Sequence, residues 1–252
     1  MMGWFSSTTM VGRLTAPITA GAVLSLAGFK EAYLLCGIIG AIALVSMSQI
    51  PSPRSERKSN SPGKFSRDIF QVLFNGDVVT AGVVMAVTYF AVQSLETFLP
   101  IYLGGLGVEP WLIGAIFTIE LFTIMILKPY AGRLSDAVGR IKMISLGLVT
   151  SSIGITGITF LKSCEGLIFS IIIFSIGVAF TTAATPPLVS ELVTREKYGA
   201  AIGAMETIKD VGQALGPIFT GMILMYVAFE DALLVISGLL IFALPLIYLR
   251  LR

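Results

Sequence analysis

Histidine is absent from this 252-residue chain, cysteine occurs only twice, and charged side chains make up just 13% of it. Without imidazole there is no haem or His-based zinc ligation and no His-dependent catalytic triad, and two thiols cannot build a cysteine-rich metal cluster. Cys36 falls in an apolar stretch and Cys164 in a short connection, so both read as ordinary thiols with no disulfide between them. Lysine and arginine (17) barely outnumber aspartate and glutamate (15), so the net charge of +2 offers no basic face to nucleic acid. The expectation is therefore a chain that is not an enzyme and has no cofactor and no metal. A secretory signal is not expected either, because Met1-Met2-Gly3-Trp4-Phe5 lacks a basic region ahead of its apolar run.

What the chain has in abundance is apolar surface. Hydrophobic residues form 55% of it, and its mean hydropathy of +0.90 is far above what a wetted domain carries. Eight stretches approach the ~20 apolar residues that a membrane crossing needs. They run from Thr8 to Ala27, Ala32 to Ile50, Val78 to Tyr102, Trp111 to Ala131, Met143 to Leu161, Leu167 to Val189, Gly199 to Val227 and Ala232 to Leu249. Inside lipid every backbone amide must find its partner within the protein, and runs this long without polar alternation exclude a barrel. The expected fold is all-α, with eight transmembrane helices.

Cations set the expected orientation. Arg54, Arg57, Lys58, Lys64 and Arg67 lie in the second connection, Arg133, Arg140 and Lys142 in the fourth, Arg195 and Lys197 in the sixth, and Arg250 and Arg252 at the end. The odd connections hold only Lys30 and Lys162, so both termini are expected in the cytoplasm of a plasma-membrane protein. The Pro-, Ser- and charge-rich stretch 51–68 reads as a flexible cytoplasmic linker between two helices (1–50) and six (69–252).

An internal repeat spans that linker. Val11-Gly12-x-x-x-Ala16-Pro17-Ile18-x-x-Gly21 returns as Val211-Gly212-x-x-x-Gly216-Pro217-Ile218-x-x-Gly221, and the 200-residue offset holds through Phe29 with Phe229 and Leu34 with Leu234. Small residues at Gly12, Gly21, Gly212, Gly216 and Gly221 let a neighbouring backbone approach, while Pro17 and Pro217 permit a bend.

Polar side chains within the spans are the candidate site. Tyr89, Gln93 and Glu96 follow i, i+4, i+3 spacing on one helix face, as do Glu120 and Thr123 on the next helix. A charge at a helix centre costs roughly 2.5–3.5 kcal/mol to insert, a cost that usually reflects function. Glu120, amid nine large apolar residues, is the first candidate for a substrate or proton site. Glu96, four residues before Pro100, faces either a cavity or the outer headgroups. Lys128 beside Pro129 is expected to snorkel from a cytoplasmic helix end. Phe180 to Pro187 is small and hydroxylated and is expected to be broken by its two prolines, with packing its first role. Glu206, Lys209 and Asp210 are expected to open the seventh span and to be structural.

The segment Gly132-Arg133-Leu134-Ser135-Asp136-Ala137-Val138-Gly139-Arg140-Ile141-Lys142 reads as a tight charged loop between two spans. It resembles the signature loop of the major facilitator superfamily of transporters, Gly-x-Leu-x-Asp-x-x-Gly-Arg-x-Lys, at every fixed position. The Gly12 to Gly21 segment is similar to the Gly-Pro-x-x-Gly-Gly signature of proton-coupled drug exporters, with two glycines replaced by alanine; helix packing alone is the other reading. The resemblance implies two parallel six-helix halves, of which this chain would hold the last two helices of the first half and all of the second. It also implies a cytoplasmic latch, with Asp136 near Arg13 and Arg140 on Glu191. Expected partners are a small-molecule substrate, protons, the lipid bilayer and, for the four unmatched helices, a separate chain. The implied function is proton-coupled export by alternating access. Two alternatives stand beside it: uptake of a sugar or organic acid, and a truncated or split remnant serving as a partner subunit or inactive.

Overall fold

The computed structural model describes residues 2–48, 75–161 and 163–250, with the side chains of 2–11, 13, 47 and 48 left out. The linker 51–68 and its charges lie outside the described residues. Every described element is a helix: α1 (Met2–Leu26), α2 (Phe29–Ser48), α3 (Gly76–Gly105), α4 (Pro110–Val138), α5 (Arg140–Phe160), α6 (Cys164–Glu191), α7 (Tyr198–Leu224) and α8 (Phe229–Arg250). Six of the eight, α2 to α6 and α8, are long and apolar enough to cross a membrane, which makes this a multi-pass membrane protein. The other two fall short for a visible reason. In α1 the apolar part shrinks to Leu14–Leu26, behind a polar stretch of Ser6, Ser7, Thr8, Thr9 and Arg13, and α7 carries Glu206, Lys209 and Asp210 within its run.

Local chemistry sets where the helices start and stop. Asn75 caps α3, its side chain accepting from the Asp77 amide at 3.0 Å, and Ser163 caps α6 by accepting from the Gly166 amide at 3.1 Å. Pro110 occupies the first turn of α4, where its missing N–H costs nothing. Internal prolines do not stop helices here. Pro100 lies inside α3, and α6 runs unbroken through Pro186 and Pro187 to Glu191, against the expected break. Each proline removes one amide bond but has a helical φ, and neighbouring helices compensate for the loss within a membrane bundle.

The tightest pairings are α5 with α6 and α3 with α7, followed by α1 with α4, α4 with α6 and α5 with α8. Small residues allow them. A Cβ on Gly154 of α5 would collide with the Phe174 backbone of α6, and one on Gly212 of α7 would collide with the Ala86 carbonyl of α3. Between these helices Leu95, Leu99, Ile116, Leu148, Ile155, Ile171 and Phe174 are fully buried and form the core. The outward faces are apolar too, and α2 keeps Leu34, Ile38 and Ile42 exposed along its length, as lipid contact requires.

Candidate transport cavity and charged hinge

A cavity of about 170 Å³ opens where α3, α4, α6 and α7 meet, with Leu14 of α1 at its edge. Tyr89, Gln93 and Glu96 of α3 all line it, sharing the face that their spacing implies. Glu96 therefore lies along the cavity, nine residues before the end of α3 at Gly105. Lys128 lines the same cavity from α4, ten residues before that helix ends at Val138.

Glu120 stands apart from the cavity wall. It is 1% exposed, and neither carboxylate oxygen has a hydrogen-bond partner, while Glu96 acts on it electrostatically from α3. A carboxyl group so enclosed is costly unless it takes up a proton in place of an ion partner. Thr123, the other candidate on α4, is turned back on its own helix, its hydroxyl donating to the Ile119 carbonyl at 2.8 Å. The hydroxyls of Thr181, Thr182 and Thr185 do the same on α6, at 3.1, 2.8 and 2.7 Å from the carbonyls of Gly177, Val178 and Thr181. Thr182 also reaches the cavity wall.

On α7 the structure revises the sequence reading. That helix starts at Tyr198, so Lys209 lies eleven residues in, or about 16 Å along the axis, and does not sit in the first turn. Its ammonium contacts Glu206, stands 3.2 Å from Asp210 and lies 5.0 Å from the centroid of the Tyr89 ring. One turn further on, Gln213 enters the cavity wall and donates from Nε2 to Gln93 Oε1 at 2.8 Å. Neither residue was a candidate from sequence. The signal lay in Gly199-Ala200-Ala201-Ile202-Gly203-Ala204, a small-residue run that packs on α3 and α6 and pushes the charges two turns into the helix.

The charged segment between α4 and α5 is not the eleven-residue loop its sequence suggests. Gly132 to Val138 completes α4, α5 starts at Arg140, and Gly139 alone separates them. Its φ of +105° is a conformation that side chains resist, so the second glycine is the hinge. Arg140 reaches three partners. It contacts Asp136, its Nη1 donates to Ser135 Oγ at 2.6 Å, and its Nε lies 3.2 Å from Glu191 Oε1 at the end of α6. The Arg13 side chain, the expected neighbour of Asp136, lies outside the described residues.

The repeated Gly-Pro segments differ in what covers them. Gly212 and Gly216 of α7 press on the Ala86 and Phe90 carbonyls of α3, whereas among the described residues nothing lies against Gly12 of α1 and Ala16 is exposed. Instead α1 meets α4 through Gly21, where a Cβ would strike the Pro110 carbonyl, and through Gly114, where one would strike the Pro17 carbonyl. Pro217 lies inside α7, as Pro17 does in α1, and Gly221 faces Phe98 of α3.

An apolar helical bundle around a small cavity with polar groups in its wall, and a charged one-residue hinge at one end, defines a multi-pass membrane protein. The Major Facilitator Superfamily family model matches residues 1–119 and 104–252, and the chain belongs to that superfamily. It is 21% identical to an uncharacterized MFS-type transporter of Methanocaldococcus jannaschii over 88% of this chain and 58% of that protein. It is 21% identical to a multi-drug resistance efflux pump PmrA homolog of Lactococcus lactis over 92% of this chain and 58% of that protein. With the multidrug resistance protein MdtG of Klebsiella pneumoniae it shares 22% identity over 96% of this chain and 60% of that protein. The chain thus spans about three-fifths of the length of these relatives.

Proposed function

We propose that this chain forms the cavity-bearing part of a secondary transporter that exports a small molecule in exchange for protons by alternating access. Glu120 carries the proposal: a fully buried carboxyl with both oxygens unpartnered, held one layer behind a cavity whose wall includes Glu96. Protonation would let Glu120 remain in an apolar interior, and release would follow when the cavity wets, which is what a coupling site needs. Export is supported by the efflux pumps among the relatives. In this reading 1–50 are the last two helices of one half, 69–252 are the second half, and the termini face the cytoplasm across the plasma membrane.

The test is flux of a labelled drug panel in proteoliposomes with an imposed pH gradient. Glu120→Gln should lower gradient-driven flux at least tenfold while leaving substrate exchange without a gradient intact. Equal gradient-driven flux in the variant and the wild type would remove Glu120 from the coupling role.

A second reading has its own support. Among the described residues nothing covers Gly12 and Ala16 is exposed, against the covered Gly212 and Gly216 of α7, which leaves α1 a face on which a further helix could pack as α3 packs on α7. On that reading the chain acts together with additional helices, from the same polypeptide or from a partner subunit. Absence of any flux by the chain alone, restored by co-reconstitution with such helices, would select it.

A further inference from the structure

The glutamine pair on the cavity wall joins α3 to α7 by an uncharged hydrogen bond. Gln213 Nε2 donates to Gln93 Oε1 at 2.8 Å, and both side chains line the cavity. Their helices hold them in register. Gly212, next to Gln213, presses on the Ala86 carbonyl, Gly216 presses on that of Phe90, and the Thr220 hydroxyl donates to Ser94 Oγ at 2.8 Å. One turn before Gln93, Tyr89 contributes an aromatic ring to the same wall and is backed by the Lys209 ammonium.

A lone glutamine facing an apolar occupant would be left with unmet donors and an unmet acceptor. Two that bond each other avoid this, while each keeps capacity to spare: the second amide group of the pair can still donate and the second carbonyl can still accept. A ligand offering a carbonyl beside an N–H can replace one amide by another, bond for bond, at little cost. The rest of the wall favours no charge. Glu96 and Lys128 are of opposite sign, and Val92, Leu121, Ile124 and Val178 are apolar. A volume of about 170 Å³ suits one or two fused rings, since a cavity of roughly 150 Å³ admits benzene.

We propose that Gln93 and Gln213 are the specificity-determining pair of this site and select a flat, uncharged ring compound bearing adjacent carbonyl and N–H groups, a lactam or imide, seated against Tyr89. The proposal rests on the reading of this cavity as the substrate site. Phthalimide and N-methylphthalimide, which differ in that single N–H, are the probes. Tritiated phthalimide binding to the full chain in lipid nanodiscs at pH 6.5, with the N-methyl compound as competitor, should show at least a tenfold preference for phthalimide. The double variant Gln93→Leu/Gln213→Leu, which strands neither amide, should bind both compounds alike and melt within a few degrees of the wild type. Equal affinities in the folded wild type, no saturable binding at all, or a double variant that keeps the preference would each overturn the assignment. Binding needs no gradient, so a chain that discriminates but moves nothing overturns only the transport reading, and one that transports without discriminating overturns only this one.

Discussion

At the scale of single residues, function and stability pull against each other at Glu120. Its two oxygens are buried without a partner, so a side chain of similar bulk that carries no charge should relieve the fold. Glu120→Leu is expected to raise the midpoint of thermal unfolding by several degrees in detergent, while abolishing gradient-driven flux. A melting temperature unchanged or lowered would mean that the carboxyl is satisfied in a way its surroundings do not show. Legibility from sequence also splits at this scale. Tyr89, Gln93, Glu96 and Glu120 were readable because a polar side chain in an apolar run is conspicuous and helical spacing says which of them share a face. Lys209 and Gln213 were not, because the start of α7 was readable to within a residue but its pairing with α3, which brings them to Tyr89 and Gln93, was not. Thr123 was legible as polar but not as self-satisfied. Spacing gives the face a hydroxyl occupies, not the carbonyl its proton chooses.

Between elements, the one-residue junction at Gly139 and the reach of Arg140 are the parts most open to test. Any Cβ at a φ of +105° is strained, so Gly139→Ala should cost about 1–2 kcal/mol, read as a lower midpoint in a denaturant titration of the membrane protein. Arg140 ties the end of α4 to the end of α6 by bonds to Ser135, Asp136 and Glu191. Its planar fork serves several acceptors at once, which an ammonium cannot copy. Arg140→Lys is therefore expected to slow transport severalfold, and an Arg140→Glu/Glu191→Arg exchange to restore less than half of the wild-type rate, since Asp136 would then face a like charge. Full recovery in the exchanged pair would reduce the cluster to a simple α5–α6 ion pair. Sequence reading took this segment for a loop because glycines and charges are punctuation in most proteins. It underestimated how far a 29-residue helix extends beyond the hydrocarbon, where charged residues can stay helical.

At the scale of the whole molecule, hydropathy alone makes the class legible. The eight apolar runs correspond to eight helices among the described residues, six of them long and apolar enough to cross a membrane, and the hydropathy that exposed them also hid which faces turn inward, since both faces are apolar. What sequence could not show is that α1 meets α4 at two close main-chain approaches, Gly21 on the Pro110 carbonyl and Gly114 on the Pro17 carbonyl. Gly114→Leu should force the two helices apart, costing about 1–3 kcal/mol and widening the distance distribution between spin labels on α1 and α4. A contact of that kind has a mechanical meaning. Where main chain rests on main chain, the spacing of two helices is set more rigidly at that point than where side chains intervene. That point lies near one end of each helix, and swinging α1 by about 10° would carry its far end, roughly 25 Å away, on the order of 4 Å. In an alternating-access cycle a swing of α1 about that point would act through its long arm, the side on which Leu14 meets the cavity.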